Sequence, residues 1–144
     1  MRTLVSACLL GRACRYDGGS KPVEAALGLP DVVPVCPEEL GGLGTPRPPA
    51  QLVGGDGAAV LEGSARVLRE DGVDVSEAFL VGAREAARIG EGCFRAVLKA
   101  RSPSCGVGQT WIDGRVRQGD GVFAALLRAR GLELLSDEEL VQGS

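Results

Sequence analysis

Histidine occurs nowhere in these 144 residues. Without an imidazole there is no Ser-His-Asp triad, no Cys-His nucleophilic pair and no zinc site with a histidine ligand. Acid–base work must fall to carboxylates, hydroxyls, thiols, arginine, a bound group or water. Lysine is nearly missing too: of 16 basic residues only Lys21 and Lys99 are lysine, which leaves 14 arginines. The net charge of −3 argues against a general polyanion binder, so there is no strong nucleic-acid signal. No apolar run approaches the ~18 residues that a membrane span needs. The apolar opening, residues 1–10, is too short for a signal peptide and runs straight into a polar loop, so a cytoplasmic location is expected. The five cysteines include no C-x-x-C pair. Zinc ribbons and thioredoxin-like sites are therefore unsupported, and an odd count does not suggest a disulfide framework.

What is present is the composition of a globular chain, with 44% hydrophobic residues and a mean hydropathy of +0.10. The length suits one domain, residues 1–144, burying roughly 70% of its unfolded surface. Apolar runs at 3–7, 32–35, 94–99 and 132–135 read as strands. Between them, Ser20 with Pro22 marks a helix start that ends near Gly28. Ser76 reads as the N-cap of a helix through Phe79, Val81, Ala83, Ala86, Ala87 and Ile89, ended by Gly90 and Gly92. Residues 121–130 form another helix with Phe123, Leu126 and Leu127 inward, and Ser136 to Glu139 caps a last short one. Residues 36–57, rich in Gly and Pro, are expected to be one long active loop. Residues 58–70 are expected to be a small hairpin, and residues 111–116 another, turning at Asp113-Gly114. Pro34 makes the pairing of the second strand uncertain. Strands alternating with helices predict an α/β single-domain, Rossmann-like three-layer fold with a mostly parallel sheet and small hairpin insertions.

In such sheets ligands bind at the carboxyl ends of the strands. Cys8 follows the first strand, Cys36 the second and Cys105 the third, so all three leave the sheet at one edge. Cys93 precedes the third strand, belongs at the opposite edge and reads as a core residue. Thiolates without imidazole favour zinc, copper(I) or iron–sulfur clusters. Four ligands, with Cys14 as the fourth, would suit a structural or regulatory zinc; three would leave a position open for catalysis. A third reading is a sulfur carrier with a persulfide on Cys14.

Three segments are specific enough to carry a resemblance. Residues 5–11 with 14–18, residues 34–43 with 45–47, and residues 98–106 each hold one of those cysteines. Together they resemble, in order, the motifs of the TudS-type thiouracil desulfidase family, formerly a domain of unknown function. The resemblance implies a [4Fe-4S] cluster held by Cys8, Cys36 and Cys105 with one iron free. It further implies non-redox desulfuration of a small thiolated nucleobase or nucleoside to the carbonyl form, with the sulfide accepted on the open iron. Gln51, where an acidic residue is expected, and Trp111, where tyrosine is common, depart from the pattern and bear on the substrate.

Such a reaction needs a group to move protons. Glu38, two residues after Cys36, is the first candidate and Glu39 the second. Ser102 and Ser104 beside Cys105 are candidates to orient water or relay a proton. A pair of solvated acids favouring a helix start after Pro37 is the plainer reading of Glu38 and Glu39. Asp17 and Arg47 are candidates to contact substrate, or each other in an ordinary salt bridge. Gly42, with Gly41 and Gly44, offers backbone N–H groups to an anion or cluster sulfur.

Overall fold

Thr3–Ser6 (β1) is buried at all four positions, as a central strand of a sheet covered on both faces must be. A computed structural model describes residues 1–142 and places β1 between Val32–Val35 (β2) and Arg95–Leu98 (β5). Glu133–Ser136 (β8) completes the sheet in the order β2-β1-β5-β8, and every pair in it is parallel. Pro34 is accommodated because β2 is an edge strand, where a missing N–H costs no ladder bond. One face of the sheet carries Leu4, Val33, Val35, Ala96 and Leu98 into the main core; the other carries Val5 and Val97 into a second. Covering the first face are Ser76–Ile89 (α4) and Val122–Ala129 (α5). Glu24–Leu27 (α1) and Asp137–Gln142 (α6) contact each other and close the second. The expected three layers and parallel sheet are present.

The hairpin insertions are larger than expected. Ala50–Val53 (β3), Arg66–Arg69 (β4), Gln109–Ile112 (β6) and Arg115–Gln118 (β7) join into a second sheet in the order β4-β3-β6-β7. The β6–β7 hairpin turns at Asp113 and Gly114, both at positive φ, as a two-residue hairpin requires. The long loop at 36–57 in fact contains Pro37–Leu40 (α2) and β3. The hairpin expected at 58–70 is instead a helix, Gly57–Glu62 (α3), followed by β4. Asp56 caps α3 by accepting from the Ala59 N–H at 3.1 Å, and Gly63 ends it at φ 84.

Two expected caps move as well. Ser20 does not start a helix: the Lys21 and Val23 N–H groups bond to the carbonyls of Cys8 and Leu9, which holds that segment extended until Glu24. Ser76 is the first residue inside α4, with its N–H received by Asp74 and its hydroxyl accepting from the Val67 N–H. Within α4 the buried positions are Phe79, Gly82, Ala83, Ala86 and Ala87, a single helical stripe. Val81 falls off that stripe and is exposed. At the last helix the Ser136 hydroxyl accepts from the Glu139 N–H while the Glu139 carboxylate accepts from the Ser136 N–H, a reciprocal capping box.

Close backbone contact fixes the site-bearing segments. A Cβ on Gly82 would lie 1.9 Å from the Pro37 carbonyl oxygen, and one on Gly41 would lie 2.0 Å from that of Ala78. Helix α2 therefore lies directly on α4. A Gly82→Ala variant is expected to lose about 1–3 kcal/mol of stability by urea unfolding, the range for overpacking a tight contact. Val81→Ala, one residue away on the exposed face, is expected to change it by less than about 0.5 kcal/mol. Equal effects would contradict the contact.

Candidate active site

Strands β2, β1 and β5 finish level, with Ser6 opposite Val35 in the ladder. Because the neighbours of β1 lie on either side of it, the chain reverses direction there, and a crevice opens outside the strand ends. Cys8 lies in the 3-10 turn after β1, Cys36 is the residue after β2, and Cys105 follows the loop after β5. All three line one cavity of about 690 Å³ together with Cys14. Cys93 lies in the main apolar core and does not reach the cavity.

The Cys105 loop is shaped by its own hydroxyls and by α5. Ser102 Oγ accepts from the N–H groups of Ser104 and Cys105 at 3.2 and 3.0 Å. The Ser104 carbonyl accepts from Phe123 and Ala124, and that of Pro103 from Val122. These bonds satisfy the otherwise unpartnered first N–H groups of α5. Gly121 is required at this junction, since a Cβ there would stand 2.6 Å from the Ser104 carbonyl.

Glu38 and Glu39 separate in the structure. Glu39 turns outward to Arg12 at 2.9 Å and receives the Thr45 hydroxyl. Glu38 lines the cavity, where Arg47 Nε donates to Oε1 at 3.1 Å and Ser104 Oγ donates to Oε2 at 2.9 Å. Ser104 Oγ also lies 3.1 Å from Ser102 Oγ and 3.7 Å from Cys105 Sγ. With one hydroxyl hydrogen, Ser104 can donate to only one of these neighbours at a time.

Arg47 pairs with Glu38, not with Asp17. Its guanidinium also donates to the carbonyls of Gly44 and Cys14 and to the Thr45 hydroxyl. Those bonds bind three segments into one wall. Asp17 lies outside the cavity lining and accepts from the Gly19 N–H in its own turn. Gly42 is also outside the main cavity, in a smaller one shared with Glu38 and Arg47. The cavity wall holds further residues that the sequence did not single out, among them Arg15, Tyr16, Lys21, Lys99 and Arg101. Burial pulls the Lys99 ammonium below its ordinary range; Asp137 opposes this, while Lys21, Arg101 and Arg15 add to it. The rim is thus positive in a chain of net charge −3. Their only sequence signal was closeness to the cysteines.

Three of the cavity thiols, Cys14, Cys36 and Cys105, are held protonated. Cys14 accepts a hydrogen bond from Cys36 that favours its thiolate, but its bond to Cys8, burial and nearby Cys8 and Glu39 outweigh this and push it up to about 11. Cys36 is driven further up, first because Cys14 holds its proton and then by burial. Burial pushes Cys105 up to about 12, against hydrogen bonds from Ser6 and Ser104.

The donor set can be tested against a metal or cluster. It is all sulfur, which suits soft metals. A tetrahedral zinc needs thiolates about 3.8 Å apart, given Zn–S bonds of about 2.3 Å. Among the described residues, no group of three or more cysteine, aspartate or glutamate side chains is arranged to hold a single ion. A cubane cluster takes one thiolate per iron, so its ligands stand farther apart. The three thiols Cys8, Cys36 and Cys105 reach the cavity from three separate strand ends, an all-sulfur set whose chemistry suits such a cluster.

Sulfur donors gathered at the switch point of a doubly wound sheet, beside a hydrogen-bonded carboxylate, place this chain among α/β enzymes. The 2-thiouracil desulfurase family model matches residues 3–139. The chain belongs to that family. It is 40% identical over 145 aligned positions to a Bacillus subtilis (strain 168) protein described as uncharacterized protein YbbK, covering 95% of this chain and 96% of that one. It also matches the solved structure of a [4Fe-4S]-dependent thiouracil desulfidase, TudS, with a TM-score of 0.82 and 37% identity, covering 98% of this chain and 93% of that one. Among the described residues no helix is long and apolar enough to cross a membrane.

The raised thiols set a pH dependence. In the metal-free protein they keep protons above the ordinary thiol value of 9.0, at which the unfolded chain releases them. The folded state then binds more protons, so stability must fall as pH rises from about 9 toward about 12. Urea midpoints across that range should decline, and the decline should be shallower in Cys14→Ser. A flat profile would contradict the thiol packing.

Proposed function

We propose that this chain, acting as one domain over residues 1–144, removes sulfur from a thiouracil-type nucleobase or nucleoside. In this reading Cys8, Cys36 and Cys105 hold a [4Fe-4S] cluster. When bound, the cluster would supply an open iron, a soft Lewis acid with affinity for a thiocarbonyl sulfur. The reaction exchanges C=S for C=O: the oxygen of water goes to carbon, sulfur leaves as hydrosulfide, and no electrons are transferred.

The observation that carries the proposal is the contact of Glu38 with Ser104, the residue before Cys105. It puts a carboxylate and a relay hydroxyl beside a proposed ligand. Glu38 takes the proton of the attacking water, directly or through Ser104, and returns it to the departing sulfur or to the ring nitrogen. Arg47 holds the carboxylate in place, and its bond to the Cys14 carbonyl fixes the loop after β1. Ser102 orients the Cys105 backbone and contacts the Ser104 hydroxyl. The positive rim favours the anionic hydrosulfide product. Cys14, buried at 2% exposure among the other thiols, modulates them and is not needed as a ligand. Five free cysteines suit a reducing, cytosolic setting.

Anaerobically purified protein should be brown, carry about four iron and four acid-labile sulfide per chain, and convert thiouracil to uracil. Serine at 8, 36 or 105 should abolish the colour, whereas Cys14→Ser should retain it. Glu38→Gln should keep iron and sulfide and lose about 10²–10⁴-fold in kcat. Stoichiometric zinc with no iron after reconstitution, and Cys14→Ser as damaging as Cys8→Ser, would establish the metal module instead.

A further inference from the structure

The chain has one tryptophan and one tyrosine, and both line the same cavity. Both are also exposed, Trp111 by 46% and Tyr16 by 42%. An indole half exposed within a cavity offers a flat aromatic face to a ligand. Trp111 belongs to β6, where Thr110 and Ile112 turn into the core and Trp111 turns out. Its place is fixed by its neighbour. The Thr110 hydroxyl shares its one proton between the carbonyls of Arg101 and Ser102, at 3.2 and 3.0 Å, and Thr110 bridges Arg101 in the backbone. The strand carrying the indole is thereby tied to the loop carrying Cys105.

The register sets Gln51 beside it. Leu52 of β3 is paired with Ile112 of β6 in parallel, so one residue back Gln51 lies next to Trp111. Leu68 of β4 is the partner of Gln51 on the other side. Leu68, Gln51 and Trp111 form a row across three strands, and all three line the cavity opposite the thiols' own sheet. The Gln51 side-chain oxygen accepts from the Gly114 N–H at 2.6 Å. That bond fixes the amide and leaves its NH₂ group to donate.

We infer that Trp111 is the stacking platform for the substrate's heteroaromatic ring and that the Gln51 amide donates to a ring carbonyl, together setting which ring the cavity takes. This rests on the desulfidase reading for the identity of the ring. The chemistry required is a flat, electron-poor ring with an exocyclic oxygen, as in a pyrimidine-2,4-dione or its monothio form. The plainer reading is cross-strand packing of Trp111 on Val116, its partner in β7. That reading leaves the cavity-facing surface of the indole without a task.

The single tryptophan makes the test direct. Uracil, which needs no desulfuration, is titrated into anaerobically purified protein while tryptophan fluorescence is read, and calorimetry gives Kd for wild type and variants. Quenching that saturates at the calorimetric Kd is expected. Trp111→Ala should weaken uracil binding and raise KM for thiouracil by about 5- to 100-fold, the range for losing one stacked base. Trp111→Tyr should restore binding to within about 3-fold of wild type, because the π-face returns. Gln51→Leu should weaken uracil more than it weakens benzene-1,3-diol, a flat ring without carbonyls. Circular dichroism and thermal melting confirm that each variant is folded. Unchanged fluorescence on saturation with uracil, or an unchanged Kd in folded Trp111→Ala, would overturn the inference. Loss of turnover in wild type alongside intact, tryptophan-dependent uracil binding would instead fault the desulfidase reading and leave the platform standing.

Discussion

Parallel pairing of β1 with both β2 and β5 is the constraint from which the site follows. Parallel strands begin and end together, so every strand-to-loop exit falls on the same edge. Because Thr3 is paired with both Val32 and Arg95, the three strands also end level. The cysteines need no long loops to converge. The one that stands farthest from its strand, Cys105, is drawn back by the hydroxyl of Ser102 and by the N-terminus of α5.

A second layer of order comes from Arg47. A guanidinium offers five donors in a fixed plane, and here it engages a carboxylate, a hydroxyl and two carbonyls from separate segments. With its side chain 8% exposed, it is nearly removed from solvent, where an ion pair with good hydrogen bonds is most costly to break. The wall of the cavity is thus fixed by side-chain bonds of the chain itself. Protonated thiols complete this state. The proposed cluster would have to displace those protons on binding, which would couple its affinity to pH.

Much of this was legible in the sequence, for identifiable reasons. Short β-branched runs ending in cysteine mark Cys8 and Cys36 as edge residues, and Ser136 with Glu139 is a capping box visible in four letters. The separation of Glu38 from Glu39 was not legible, because it depends on Arg47 and Ser104, far away in the chain. Strand β3 was hidden by its proline-rich approach, and its pairing with β4 and β6 is set by tertiary contacts rather than local preference. Helix α3 was missed although Asp56 and Gly63 frame it; the short apolar run between them fits a strand or a helix equally. Asp17 lies outside the cavity lining. Close in sequence to Cys14, it accepts from the Gly19 N–H in its own turn. The family likeness supplied the chemistry that neither composition nor spacing could decide.

The row on the second sheet has a consequence for how such an enzyme can be altered. Where α2 meets α4, and where Gly121 meets Ser104, backbone touches backbone, and no side chain can be added without moving the thiols. Leu68, Gln51 and Trp111 instead project from ladder positions whose main-chain bonds are indifferent to what they carry. Substitutions at these three positions would therefore change what faces the cavity while the ladder bonds of their own strands, and the thiol-bearing edge of the other sheet, stay in place.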